Sequence, residues 1–164
     1  MINNKILQVY PSKVEDAKML APRLRKTDIN EIQLLTEQSP LTVLEKGIVE
    51  SIPCYTVTSG DKLPIAIFGV VPDKKILKNS GIVWLLASDD ILKHSVSFLR
   101  NSGKWINKLH NHYYLLWNYI DARNKVYIKW LKCCGFNFSG YTEKYGIEKR
   151  TFYKFEKYRV SLIN

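Results

Sequence analysis

Residues 114–136, YLLWNYIDARNKVYIKWLKCCGF, decide the fold. Tyr114–Asp121 is an apolar, aromatic run with the length and composition of a β-strand. Tyr127, Trp130, Leu131 and Cys134 then recur at i, i+3, i+4 and i+7, which predicts a helix over Asn124–Cys134 with one buried face. Gly135 follows where a helix can end in the left-handed conformation. Strand, short helix and glycine stop in 23 residues describe a sheet covered by helices, not a bundle or a sandwich.

Working outward, Phe136–Phe138 and Thr151–Tyr158 read as an antiparallel pair around a glycine-containing loop. Upstream, Asp89-Asp90 favour a helix start. A helix is predicted over 91–109, with Val96, Leu99, Ile106 and Leu109 inward and Lys93, Arg100, Lys104 and Lys108 outward. Ile82–Ser88 is an unbroken apolar run, as expected of a strand covered on both faces. It follows a polar loop, Pro72–Gly81. Pro53–Thr58 and Leu63–Val71 flank the turn Ser59–Lys62 and read as a hairpin.

The first 50 residues predict a strand over 5–10 and then three helical segments. Ser12 and Glu15 have capping-box spacing ahead of Val14, Ala17, Leu20, Ala21 and Leu24, with Pro22 bending or shortening that helix. Asp28 and Glu31 offer a second capping pair ahead of Ile32 and Leu35. Ser39-Pro40 opens the third segment, which carries Leu41, Leu44 and Ile48 on one face. The fold class is therefore α/β, an α+β arrangement with a mixed sheet, in a single domain over 1–164.

Composition narrows the function classes. The 164 residues carry 25 Lys+Arg against 15 Asp+Glu, a net charge of +10, with 46% hydrophobic residues and 3 cysteines. Disordered, collagen-like and disulfide-stapled classes are excluded. No apolar run approaches the roughly 20 residues of a membrane span. The start of the chain shows no signal-peptide pattern, so a soluble intracellular protein, or one packaged without secretion, is expected. Residues 1–80 are nearly neutral, with 11 basic and 9 acidic side chains; residues 81–164 hold 14 basic and 6 acidic. The second half also holds 17 of the 20 aromatic residues. That half suits a phosphate-bearing or acidic partner, nucleic acid included. A/T-rich codon usage, visible in 19 Lys, 16 Ile, 11 Asn and 10 Tyr, competes as the source of the lysines.

The element order resembles the GNAT acyltransferase fold, whose sheet splays between its fourth and fifth strands to admit acetyl-CoA. Asn124, the helix after it and Gly135-Phe136 resemble the segment that follows the fifth strand in that family. From Leu63 onward the chain is also similar to the small internal virion protein family of autographivirus-type podophages, itself GNAT-like. The residues that carry this are Pro64–Gly69, Trp84-Leu85-Leu86, Leu116–Ile120, Asn124, Ile128, Leu131-Lys132 and Gly135. The resemblance implies acetyl-CoA as cofactor, with Leu86, Ala87, Ser88, Lys93, His94, Arg100 and Asn124 as its contacts. It implies other virion proteins or a host protein as partners, in the virion or the host cytoplasm.

The chain departs from that pattern in ways that bear on catalysis. Active members carry a glycine-rich pyrophosphate turn after the fourth strand. Here that turn is Ser88-Asp89-Asp90-Ile91-Leu92-Lys93-His94, and no glycine lies between Gly81 and Gly103. Each badly placed acid there would cost a bound pyrophosphate about 1–3 kcal/mol. Leu131 stands where the family places its general-acid tyrosine. Asp121 as a base and Tyr127 as an acid are the remaining catalytic candidates, and each has a structural alternative as cap and as core residue. Cys54, Cys133, Cys134 and the three histidines show no zinc spacing, so no metal site is expected. Two functions follow: a virion assembly or genome-delivery protein with a degenerate acetyl-CoA site, or an N-acetyltransferase acting on a host amine.

Overall fold

The computed structural model describes residues 6–75 and 79–161. Seven strands form one sheet: β1 (Gln8–Pro11), β2 (Cys54–Thr58), β3 (Pro64–Asp73), β4 (Ser80–Ala87), β5 (Leu115–Asp121), β6 (Asn137–Tyr145) and β7 (Arg150–Tyr158). Their spatial order is β1-β2-β3-β4-β5-β7-β6. Every neighbouring pair is antiparallel except β4 and β5, which are joined by a helical crossover.

Helices cover both faces. On one lie α1 (Val14–Leu20), a 3₁₀ turn over Ala21–Arg23, α2 (Lys26–Leu35) and α3 (Pro40–Glu50), packed on Ile67, Trp84 and Leu86. On the other, the short α4 (Asp90–Lys93) leads into α5 (Ser95–His110), which with α6 (Lys125–Cys133) packs on Phe68, Val83 and Leu116. The strict alternation of side chains along a strand sends Ile67 to one layer and Phe68 to the other, which is why β3 reads as apolar throughout.

The pairing of β4 with β5 is short. Ser80–Ile82 face Leu115–Trp117, and then the two strands part. By contrast β3 and β4 stay paired over eight residues each. The mixed sheet, the splay and the glycine-capped last helix agree with the sequence reading. Gly135 takes φ +84°, and Gly146 takes φ +74° in the β6–β7 turn.

Five details differ from expectation. Glu15 does not cap α1; Asp16 Oδ2 accepts from Lys13 N at 2.9 Å, while Ser12 Oγ lies 2.8 Å from Thr56 Oγ1. Asp28 and Glu31 do not cap α2 but face the sheet, as described below. The helix expected over 91–109 is broken at His94, whose φ −116° and ψ 19° are not helical. The restart at Ser95 turns Phe98, Ser102, Ile106 and Leu109 inward, because Phe98 packs between Trp105 and Trp130. Val96 and Leu99 are consequently exposed. The loop expected over 72–81 is shorter, since β3 extends to Asp73 and β4 begins at Ser80. The first strand begins at Gln8, and residues 1–5 lie outside the described part.

Gly81 sits where β3, β4 and β5 meet. A Cβ there would lie 2.2 Å from Val70 Cγ1 and 3.0 Å from the Tyr113 ring. Gly81→Ala is expected to destabilise the fold by about 1–3 kcal/mol in urea unfolding, and adding Val70→Ala is expected to recover part of that loss.

Candidate functional site

The parting of β4 and β5 leaves backbone groups of both strands facing a wedge. Along β4 these belong to Val83, Leu85 and Ala87, by strand alternation; along β5 they belong to Tyr119 and Asp121. Backbone N–H and C=O groups away from water need partners. The chain supplies several from its own side chains.

At the apex, the Asn118 amide spans the gap. Its Nδ2 donates to Val83 O at 2.8 Å, and its Oδ1 accepts from Tyr119 N at 2.7 Å. At the mouth, the start of α2 does the same work. Leu24 and Arg25 are extended and pair with the end of β4 through a Leu24–Ser88 bridge. Arg25 N donates to Ala87 O at 2.9 Å. Ala87 N in turn donates to Asp28 Oδ2 at 2.8 Å. One turn further along α2, Glu31 Oε1 accepts from Asp121 N at 3.5 Å. Both Ala87 backbone groups are thereby used by α2.

The two acids share this mouth with α6. The Tyr127 hydroxyl donates to Asp28 Oδ2 at 3.3 Å, and the Arg25 guanidinium lies 4.6 Å from the centre of the Tyr127 ring. Burial pushes Asp28 up to about 6, against the pull of the Ala87 N–H, the Arg25 charge and the Tyr127 hydroxyl. Burial likewise raises Glu31 to about 7; the Asp121 N–H and the Asn124 side chain oppose this, and the Asp28 charge adds to it. Burial, with the Asp28 charge second, raises the Tyr127 phenol well above its ordinary value, so it remains a donor. Behind them lies a cavity of about 400 Å³ lined by aromatic groups such as Trp84, Phe98, Trp105, Tyr127 and Trp130. The arrangement sets two carboxyls of raised proton affinity against an apolar space: at pH 7 Asp28 is mostly ionised and Glu31 about half protonated.

The structure brings only some of the residues singled out in the sequence together. Ala87, Asn124 and Tyr127 belong to the wedge mouth; Asn124 Oδ1 also caps α6 by accepting from Tyr127 N at 3.3 Å. Leu86 lines the cavity, but its backbone pairs with Ile67. Ser88 turns away, donating from N and Oγ to Ile65 O. Lys93 is tied to Asp90 at 2.7 Å, and Asp90 also takes Arg23 at 2.5 Å. His94 is the junction of α4 and α5, and Arg100 lies on the outer face of α5. Asp121 accepts from Arg123 N at 2.9 Å and pairs with its guanidinium at 2.6 Å. Those hydrogen bonds hold Asp121 below the usual carboxylate range, which makes it a cap and a poor base. Among the described residues there is no cluster of three or more metal-ligating side chains.

Sequence reasoning missed Asn118, Asp28, Glu31 and Arg25 as wedge residues. A polar amide inside an apolar strand was the available signal for Asn118, since Asn is depleted from strands. The two acids have the spacing of a cap, and nothing local separates the two roles.

Comparison with family models matches residues 54–142 to the family described as the bacteriophage T7 probable scaffold protein Gp13. The chain belongs to that family. The match runs from β2 into β6, so it contains the whole wedge and its Asn118 but not the α2 acids of this Gp13-family chain. No curated protein matches it by sequence. Its fold is similar to that of an N-acetyltransferase from Staphylococcus aureus Mu50, with TM-score 0.73 and 13% identity over 93% of this chain and 98% of that one. It is also similar to a GNAT-family acetyltransferase from Streptococcus pneumoniae, with TM-score 0.65 and 16% identity over 94% and 99%. A Bacillus subtilis acetyltransferase solved with CoA gives TM-score 0.64 and 10% identity over 94% and 98%. At these identities the likeness shows the fold, which is the GNAT acetyltransferase fold.

The raised acids give a signed pH dependence. A carboxyl whose folded pKa exceeds its unfolded value favours folding below the unfolded pKa, and that contribution is lost as pH rises through the folded one. For Asp28 the window runs from 3.8 to about 6, and for Glu31 from 4.5 to about 7. Asp28→Asn keeps an acceptor for Ala87 N and removes the buried charge. Its unfolding free energy relative to the parent chain is expected to rise by on the order of 2 kcal/mol between pH 4 and pH 7.5, measured by urea titration. A pH-independent difference would contradict the assignment.

Proposed function

We propose that this chain acts in virion assembly or genome delivery as an internal virion protein, using the GNAT fold as a scaffold with a degenerate acetyl-CoA site. Membership of a phage scaffold-protein family supports the phage role. No described helix is long and apolar enough to cross a membrane. The observation that carries the degenerate-site reading is the double use of Ala87 by Arg25 N and Asp28. An extended cofactor laid along the edge of β4 would have to displace both.

The turn after β4 supports the same reading. A pyrophosphate is held by free N–H groups at a helix N-terminus, reached through glycines. Here Ser88 N is spent on Ile65 O, the exposed Asp89 carboxylate lies 3.9 Å from Arg25 Nε, and Asp90 already holds both Arg23 and Lys93. The residues present do not fit the group.

One observation favours the second reading, an N-acetyltransferase acting on a host amine. Glu31, with its pKa near 7, faces the cavity at the mouth and has the proton affinity of a general base. Calorimetry with acetyl-CoA separates the two. The scaffold reading expects no saturable heat up to about 1 mM cofactor, whereas a micromolar Kd would favour the enzyme. In the parent phage, deletion of the gene is expected to lower the yield of infectious particles, while the Asp28→Asn/Glu31→Gln variant assembles normally. Equal yields with and without the gene would contradict the assembly role.

A further inference from the structure

The two helical layers differ sharply in charge. The layer from Val14 to Glu50, covering α1 to α3, holds five basic and seven acidic residues. The opposite layer is the short α4, which carries Asp90, and the two long helices α5 and α6. Those two helices hold Arg100, Lys104, Lys108, Lys125, Lys129 and Lys132, and not one carboxylate. All six cations are exposed. A lysine surplus from codon usage would enrich both layers and would not strip the acids from α5 and α6, so composition alone does not account for the asymmetry.

The six cations form two rows. Arg100, Lys104 and Lys108 follow at i, i+4 and i+8, a stripe about 12 Å long at 1.5 Å per residue. Lys125, Lys129 and Lys132 follow at i, i+4 and i+7, about 10 Å long. The helices that carry them pack together directly: Trp130 Nε1 donates to Ser102 Oγ at 3.0 Å, and the Phe98 and Trp130 rings lie 5.4 Å apart. Both helices run back from the splayed end of the sheet, so the rows lie side by side.

We propose that the outer face of α5 and α6 is a docking surface for duplex DNA, contacted through its phosphates. Two outward-facing rows of three cations, free of carboxylates, complement the phosphates that line both edges of a duplex groove. Each row spans three to four base-pair steps at about 3.4 Å. The aromatic residues between the helices, Trp105 and Trp130, are turned into the core and provide no stacking platform for unpaired bases. Exposed Val96 and Leu99 lie at the N-terminal end of α5 and leave its last two turns basic and polar. Contacts to phosphate carry no base preference, so binding is sequence-independent. This surface is remote from the wedge acids and does not rest on the state of the acetyl-CoA site.

The test is fluorescence anisotropy with the full chain and a labelled 25-base-pair duplex. Four to six phosphate contacts predict an affinity that falls about 10²–10³-fold between 50 and 200 mM salt. Lys104→Glu/Lys108→Glu/Lys129→Glu/Lys132→Glu is expected to weaken binding more than tenfold, and Lys18→Glu/Lys46→Glu on the other layer to change it less than twofold. Circular dichroism and urea midpoints confirm that both variants fold. Equal losses in the two variants, a salt-independent affinity, tighter binding to single strands, or displacement by poly-glutamate at equal charge concentration would overturn the proposal. The last of these would point to an acidic protein instead.

Discussion

Two strands that separate after three paired residues create the constraint on which the rest of this molecule depends. Past Ile82 and Trp117 the inner edges of β4 and β5 carry backbone groups that a continuous sheet would pair. An unsatisfied buried group costs about 1–3 kcal/mol, so several together would rival the stability of a small domain. The chain meets this from within. Asn118 bridges the apex, and Arg25 N, Asp28 and Glu31 close the mouth.

That solution has a chemical cost which identifies it. Asp28 and Glu31 reach the strand edges only by being buried, and burial disfavours their ionised forms. Tyr127 and Arg25 offset part of this for Asp28, the first through its hydroxyl and the second through its charge. A few polar residues of the chain itself thus satisfy the strand edges of this wedge.

The architecture was legible from sequence because it rests on patterns. The apolar runs 64–71, 82–88 and 114–121, the i, i+3, i+4, i+7 face of α6 and Gly135 each agree with the structure, and the absent glycines after β4 could be read directly. The site was legible only in part. The GNAT resemblance points to Ala87 and Asn124, and Tyr127 is a candidate acid; the structure places all three at the wedge mouth. Asp28 and Glu31 were not legible, since i, i+3 acids at a helix start look the same whether they cap the helix or reach across to a strand 59 residues away. The inward face of α5 was misread for a related reason: periodicity fixes a helical face only within one uninterrupted helix, and His94 interrupts this one.

The most direct measurement of the wedge closure is amide hydrogen exchange and pH titration of Ala87 by NMR in the free protein. The account predicts a strongly protected Ala87 N–H whose proton shift titrates with a midpoint near 6, following Asp28. An Ala87 amide that exchanges like an exposed group, with a shift flat from pH 4.5 to 7.5, would contradict it.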